Sequence, residues 1–599
     1  HRVCCMTIYS APLSDIEFSL NSFVDLPSIM KYDHFGEADH SMVSDLLAEA
    51  GRFMTDIFAP LNKSGDNEGA KRNADGTVST PQGFIEAYHA YVEAGWGAVS
   101  FDTGFGGGGF PFVVGIAIQE MMNSANMALS MAPLLTQGAI DAIRHHGDEV
   151  QKMTYLPKMI TGEWTGTMNL TEPDAGSDVG SVRTKAVPQA DGTYRIYGTK
   201  IYITFGEHDM ADNIVHLVLA RTPDAPAGTK GISCFIVPKY LVGDDGSLGA
   251  KNDVSCVSIE HKLGIKASPT CVLSFGDNDG AIGYLIGEEN HGMQYMFTMM
   301  NQARLSVGLE GLALAERAYQ QSLEYSVLRH QGRAPGAPAG EASSIIDHPD
   351  VKRMLVTMKS TIEALRRLLY WNAACIDIAS HHPDAAEREK ASDLAALLTP
   401  LSKGWGTDMG VALTGIAIQI HGGMGFIEET GVAQHYRDAR ITTIYEGTNG
   451  IQAMDLVGRK MGLKGGAVLS GLLDEIDALD AKLVKHTELE SLASALQSAL
   501  KSVRGTTQWL QQNGTNQVAV LSGATPYLTQ LSTLVGGYVM ARSAHLAVHS
   551  EMSADDVAAK VATARFFCEQ LLPVVHGLSS SITGDGDLLM SFTHDTLSR

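Results

Sequence analysis

The stretches MNLTEPDAGSDVGS (168–181) and TYRIYGTKIYITFG (193–206) mark the point where the chain changes architecture. The first is polar and glycine-rich, so it reads as a loop whose backbone N–H groups and hydroxyls are free to meet a ligand. The second is strand-like: Tyr202 and Thr204 fall on one face, where ordinary cross-strand packing is the usual role of such residues. NIVHLVLAR, GISCFIVPKYL, VSCVSIE and TCVLSFG follow between Asp-Gly and Pro turns, which predicts a small β domain over 161–288.

Upstream, FSLNSFV, SMVSDLLAEAGRFMTDIFAPL, QGFIEAYHAYVEAGW and IAIQEMMNSANMALSMAPLLTQGAIDAI space apolar residues three and four apart, predicting a helical domain over 1–160. FGGGGF at 105–110 has no preceding apolar strand and no following Gly-Lys-Ser/Thr, so it is a loop between helices and not a phosphate cradle. Downstream, helical spacing returns for 289–461, broken by an Ala/Pro/Gly-rich loop near 333–342. After Gly462–Gly466, another helical block occupies 462–599; its segment LESLASALQSALKSVRG puts Leu489, Leu492, Leu496 and Leu500 on one face, as a docking helix would. That helix has few cations and no wide aromatic face, which disfavours membrane association. The chain is uncharged from Gly505 to Ala541, but polar residues, Gly and Pro interrupt it, so no integral membrane segment is expected.

The 599 residues include 67 Asp and Glu against 44 Lys and Arg, a net charge of −23 that repels phosphate backbones and anionic membranes. Nucleic acid is therefore not an expected partner, and a polyanionic ligand needs local cations or backbone N–H groups. The seven cysteines, Cys4, Cys5, Cys234, Cys256, Cys271, Cys375 and Cys568, are odd in number and scattered, with no zinc-ligand spacing. Most are expected to be reduced, the location cytoplasmic, and the opening HRVCC a remnant ahead of a start at Met6. The pairs His145–His146 and His381–His382 point in different directions on a helix and read as surface residues, so no metal is expected.

Two more segments carry chemistry. QIHGGMGF (419–426) offers a helix end whose glycine pair lets a ligand approach the backbone, or a plain C-cap and turn. In RDARITTIYEGTNGIQ (437–452), Glu446 ends an apolar run before Gly447 and Thr448, where a carboxylate is either a helix-cap partner or a general base.

In order and spacing the four segments resemble the acyl-CoA dehydrogenase family, TEPDAGSD and YEGTNGIQ being the specific pair. The resemblance implies an α+β multidomain fold: an N-terminal helical domain, a central β-barrel-like domain and a second helical bundle, followed here by an extra C-terminal helical domain. It implies FAD as cofactor and conversion of an acyl-CoA to the trans-2-enoyl-CoA, with electrons passed to electron-transfer flavoprotein. Glu446 would be the base and its N–H an oxyanion donor; the thioester α proton is so weakly acidic that the base must be desolvated. Some relatives carry the base directly before an arginine matching Arg304, but that position is Ala303 here.

By the same resemblance, Met168, Leu170, Thr171, Tyr202 and Thr204 belong to the flavin-binding segments, and Ser177 lies near the flavin phosphates and the pantetheine. Arg329, Gln419 and Gly423 correspond to contacts offered by a neighbouring subunit, which implies a homodimer; Thr448 corresponds to a phosphate or ribose contact. Asn301 and Arg304, with Ser177 and Gly447, correspond to substrate or CoA positions. Tyr202 replaces the family's usual Trp, Gly332 a usual aromatic residue and Gly450 a usual Gln. The whole chain is most like a long bacterial subgroup acting on 3-(methylthio)propanoyl-CoA or on short- to long-chain fatty acyl-CoA. In such subgroups the C-terminal block covers the surface used for tetramers. An oxidase passing electrons to oxygen is the alternative on the same fold, and a non-catalytic acyl-CoA or flavin binder the alternative of another class.

Overall fold

The computed structural model describes residues 9–36 and 38–599, apart from the side chains of 298–301. It divides into two compact units, 34–306 and residues 9–33 with 307–599. The opening HRVCC lies outside the described residues.

In the 34–306 unit, helices α1 (Ser41–Phe53), α2 (Phe112–Ala125), α3 (Met127–His146) and α4 (Glu149–Thr161) precede the sheet. Asp148 opens α4 with a reciprocal capping box to Gln151, satisfying two otherwise orphaned N–H groups. The region is not purely helical: Lys71–Arg72 pairs with Val78–Ser79 around the Asn73–Gly76 turn.

Ten strands follow among the described residues, of which Tyr240–Val242 and Leu248–Lys251 pair by themselves and eight form the main sheet: β1 (Trp164–Asn169), β2 (Lys185–Pro188), β3 (Tyr194–Thr204), β4 (Asn213–Ala220), β5 (Ser233–Pro238), β6 (Val254–Ile259), β7 (Thr270–Phe275) and β8 (Ala281–Leu285). These eight pair in the order β6-β7-β3-β8-β5-β4-β1, with β2 added to β3; of the pairs in this sheet only β1 and β4 run parallel. The path is open, since β6 and β1 are its ends, so the expected barrel-like domain is an open mixed sheet. Strand β4 is buried along its length, with Val215, Leu217 and Leu219 in one hydrophobic cluster with Leu134, Ile140 and Leu156, and Val218 and Ala220 in another with Ile196 and Phe235. Burial on both faces explains why NIVHLVLA is nearly continuously apolar.

Helix α5 (Gly292–Leu328) follows, and the division between units falls within it. The 307–599 part contains α6 (Pro349–His381), α7 (Ala385–His421), α8 (Asn449–Asp455), α9 (Ala467–Leu483), α10 (Glu490–Gln512), α11 (Ala524–Val548) and α12 (Ala554–Phe566). Leu492, Leu496 and Leu500 are buried on α10, while Leu489 is buried in the 3₁₀ turn just before it. Among the described residues α7 alone is long and apolar enough to cross a membrane; it packs against α6 and buries Leu397, Leu398, Leu401 and Trp405 as a bundle helix does.

Residues 9–33 join this second unit through charge. Asp15 meets Arg366, Arg367 and Lys560, and Lys560 also reaches Glu363 at 2.9 Å. Burial alone would raise the Asp15 carboxyl, but the surrounding cations hold it well below its ordinary value. Arg542 lies 4.4 Å over the Phe23 ring and donates to its carbonyl.

Candidate active site

In the 34–306 unit, the loop after β1 is fixed by a buried ion pair. Lys200 on β3 donates to Glu172 at 2.8 Å and to the Leu170 carbonyl at 3.0 Å, while the Glu172 carboxylate also accepts from the Arg183 and Thr184 N–H groups. Burial pulls the Lys200 ammonium down to about 8, and Glu172 beside it opposes that fall. Burial alone would raise Glu172, yet Lys200 and these hydrogen bonds leave it below its ordinary value. Met168 is buried on β1, Leu170 and Thr171 are half-buried, and Ser177 is exposed at the tip.

The expected alternation of β3 is broken. Against β7, the register advances three residues from Lys200 to Ile203 on β3 for two on its partner, a β-bulge. At the bulge Tyr202 has φ +60° and its side chain is 61% exposed, with Thr204 half-buried beyond it. A large aromatic ring presented on strained backbone fits a planar ligand stacked on it. The buried Asn169 Oδ1 has no protein partner, which also fits a polar ligand beside this loop.

In the 307–599 part, Glu446 and Gly447 form a turn with φ +55° and +84°. The helix-cap reading of Glu446 fails, because Thr448 is the N-cap of α8 and its hydroxyl accepts from the Ile451 N–H at 3.3 Å. The turn is pinned by Asn449: its Nδ2 donates to the Asp408 carboxylate (2.7 Å), the Thr407 hydroxyl (2.9 Å) and the Gly404 carbonyl (3.1 Å), and its Oδ1 accepts from Lys403 (2.9 Å).

Beside the turn, the Tyr445 hydroxyl donates to the buried Glu310 on α5. Burial pushes the Glu310 carboxyl up to about 8, with the Glu446 charge adding to the rise and Tyr445 and Lys403 opposing it. Burial, Glu310 and Glu446 also hold the Tyr445 hydroxyl well above its ordinary value. Glu310 comes this close because α5 and α7 meet at glycines. A Cβ on Gly308 would stand 2.3 Å from the Ser402 carbonyl oxygen, and one on Gly311 2.3 Å from that of Gly406.

Gln419 and Gly423 are exposed at the end of α7, where a Cβ on Gly423 would meet nothing within 4 Å. Arg329 is exposed just past α5, its guanidinium 3.2 Å from Gln331 Oε1. Arg304 is buried on α5, and the Asn301 side chain lies outside the described residues.

The two units thus carry separate groups, the loop with Tyr202 in one and the Glu446 turn in the other. Sequence reasoning missed Glu310, Tyr445, Asn449 and the Lys200–Glu172 pair. Tyr445 and Asn449 lay inside YEGTNGIQ, and Glu310 was visible as a lone acid in the apolar run RLSVGLEGLALA.

Family models described as acyl-CoA dehydrogenase N-terminal, middle and C-terminal domains match residues 45–163, 167–278 and 290–461, and one described as acetyl-CoA dehydrogenase C-terminal like matches 472–593. The 3-methylmercaptopropionyl-CoA dehydrogenase of Ruegeria pomeroyi is 46% identical over 97% of this chain and 99% of its own. A butyryl-CoA dehydrogenase of Syntrophomonas wolfei is 39% identical over 95% and 96%. The solved structure of ACDH-11 of Caenorhabditis elegans, in complex with C11-CoA, superposes with a TM-score of 0.75 at 20% identity over 94% of this chain and 92% of its own, a likeness of fold. The chain belongs to the acyl-CoA dehydrogenase family and is an oxidoreductase acting on acyl-CoA with FAD as its cofactor.

Proposed function

We propose that this enzyme removes the α proton and β hydride of a short acyl-CoA, with 3-(methylthio)propanoyl-CoA and butanoyl-CoA the leading candidates. The observation that carries this reading is Glu446, a carboxylate on left-handed backbone, pinned through Asn449 and flanked by the buried Tyr445–Glu310 pair. FAD, when bound, supplies the acceptor for the hydride leaving the β carbon. The Glu446 carboxylate takes the α proton, the C–H electrons move onto the thioester oxygen, and the Glu446 N–H donates to that developing oxyanion. The two leading tails are near isosteres for one apolar slot, and the substrates named for the Ruegeria and Syntrophomonas relatives support them.

Met168, Leu170, Thr171, Ser177, Tyr202 and Thr204 would hold the flavin end of FAD, and Thr448 a phosphate or ribose through its O–H. Arg304, Asn301, Gly447 and Ser177 would face the substrate or CoA. Arg329, Gln419 and Gly423 would reach the cofactor of a second copy. The homodimer this requires is supported by exposed apolar residues around that segment, Phe426 at 86% and Met424, Ile427 and Ile444 at 41–49%. We place the enzyme in the cytoplasm, with electron-transfer flavoprotein as its oxidant and four functional segments, 1–160, 161–288, 289–461 and 462–599.

Anaerobic titration of the yellow protein with butanoyl-, octanoyl-, palmitoyl- and 3-(methylthio)propanoyl-CoA tests the reaction. The short thioesters are expected to bleach the flavin band, and Glu446→Gln to keep its flavin while losing at least about 10²-fold in the bleaching rate. Near wild-type bleaching by that variant would refute the base. Slow return of colour in air is expected, and fast return would make the enzyme an oxidase. Arg329→Ala is expected to lose flavin and dimer on gel filtration; an unchanged flavin content would refute the shared site.

A further inference from the structure

The C-terminal helical block brings together three histidines that the sequence scatters. His545 lies in the last turn of α11, His549 follows it at the C-cap, and His486 lies in the link between α9 and α10. One ring nitrogen from each lies within 4.8 Å of the others. His545 and His549, four residues apart, share a helix face, with ring centroids 4.5 Å apart. His486 closes the triangle at 4.8 Å from His549 and 5.9 Å from His545, its plane inclined 87° and 64° to theirs, so the rings are not stacked.

Two details go beyond proximity. The His549 Nδ1 is 2.7 Å from the His545 carbonyl oxygen; an Nδ1–H donated there leaves the Nε2 lone pair free, the orientation a backbone carbonyl gives to a metal-bound imidazole. The His545 Nδ1 is buried without a hydrogen-bond partner, although nearly all such atoms in folded proteins have one.

We propose that His486, His545 and His549 form a binding site for one borderline divalent transition ion of the Zn²⁺ class, which ties the α9–α10 link to the end of α11. Three imidazoles at 2.0–2.1 Å from a tetrahedral ion have nitrogens roughly 3.4 Å apart. Rotation of the half-buried His486 side chain toward the other two provides that contraction while the His549 Nδ1 hydrogen bond is kept, and the exposed side of His549 leaves the fourth position to water. Three imidazole nitrogens suit metals that bond strongly to imidazole over hard, oxygen-seeking ions.

The test uses the full-length flavin-loaded enzyme without a polyhistidine tag. Zn²⁺ is titrated by calorimetry, and Co²⁺ by its visible absorption, whose intensity reports tetrahedral coordination. One ion per chain is expected, together with a rise in the thermal midpoint that EDTA reverses. The double variant His545→Gln/His549→Gln is expected to lose about 100-fold or more in affinity while keeping its flavin. His549→Gln, at an exposed position, gives the same reading if the double variant fails to fold. Absence of stoichiometric binding to the wild-type chain at micromolar Zn²⁺, or equal affinity in His549→Gln and the wild type, would overturn the proposal.

Discussion

Glu446 occupies a backbone conformation that costs a residue with a side chain of order 1–3 kcal/mol, so its surroundings must over-determine it. Asn449 does so by spending its whole side-chain amide on α7, and Glu310 by filling the space behind Tyr445 with an acid that is mostly protonated at neutral pH. Because Glu310 titrates near 8 when folded against an ordinary 4.5, the folded chain holds a proton that the unfolded chain lacks between those values. Its contribution to stability is therefore full below about 4.5 and declines as the pH rises toward about 8. Glu310→Gln keeps a neutral acceptor for Tyr445 and removes the decline, so its urea midpoint is expected to gain on the wild type as pH rises through that window. A constant difference between the two proteins across the window would show that Glu310 is ionised in the folded chain.

At the scale of elements, the meeting of α5 and α7 sets where Glu310 and Asn449 stand, and its glycines permit no Cβ. Gly308→Ala places a methyl 2.3 Å from the Ser402 carbonyl oxygen, a backbone atom that cannot swing away. The helices must separate, at a cost of about 1–3 kcal/mol or more. A fall of several degrees in thermal midpoint is expected, with a lower bleaching rate because the Glu446 turn moves with α7; an unchanged midpoint would mean the contact is looser than the structure has it. The helices and most strands were legible in the sequence because apolar spacing is a local property, and the doubly buried β4 was legible as a continuous apolar run. The bulge at Tyr202 was not, since one extra residue leaves no trace in composition. The attachment of residues 9–33 to α6 and α12 was equally hidden, because the partners of Asp15 lie hundreds of residues away. The proposed base, Glu446, drew attention through its motif; Glu310 needed the fold, since a single acid in an apolar helix does not announce what it faces.

At the scale of the whole molecule, net charge and buried groups pull the acid behaviour in opposite directions. The formal charge of −23 shrinks as pH falls toward the isoelectric point near 5.3, which relieves self-repulsion and by itself stabilises the folded chain. Against this stand His208 and His216 in the sheet region, both pushed down to about 3 by burial and then by Lys239. Their neutrality is built in. His208 Nδ1 accepts from the Met210 N–H, so its Nε2–H is left to donate to the Thr165 hydroxyl, and His216 is hydrogen-bonded to the Thr167 hydroxyl. Since the folded values lie below the ordinary 6.5, the unfolded chain takes up protons that the folded chain refuses; their contribution is full above 6.5 and lost as pH falls toward 3. The depressed carboxyls of Asp15 and Glu172 add to the loss at the acid end. Each group that takes up its proton only on unfolding gives a slope of about 1.4 kcal/mol per pH unit. Glu310, and Asp141 raised by burial to about 6, already hold their protons in the folded chain and offset the two histidines until the pH falls through the ordinary carboxyl range, below which the histidines act unopposed. The urea midpoint is therefore expected to fall most steeply below about pH 4.5, and His216→Gln to flatten that acid limb by about one proton. An acid limb equally steep in His216→Gln and the wild type would mean that net charge, and not these two imidazoles, governs how the protein unfolds in acid.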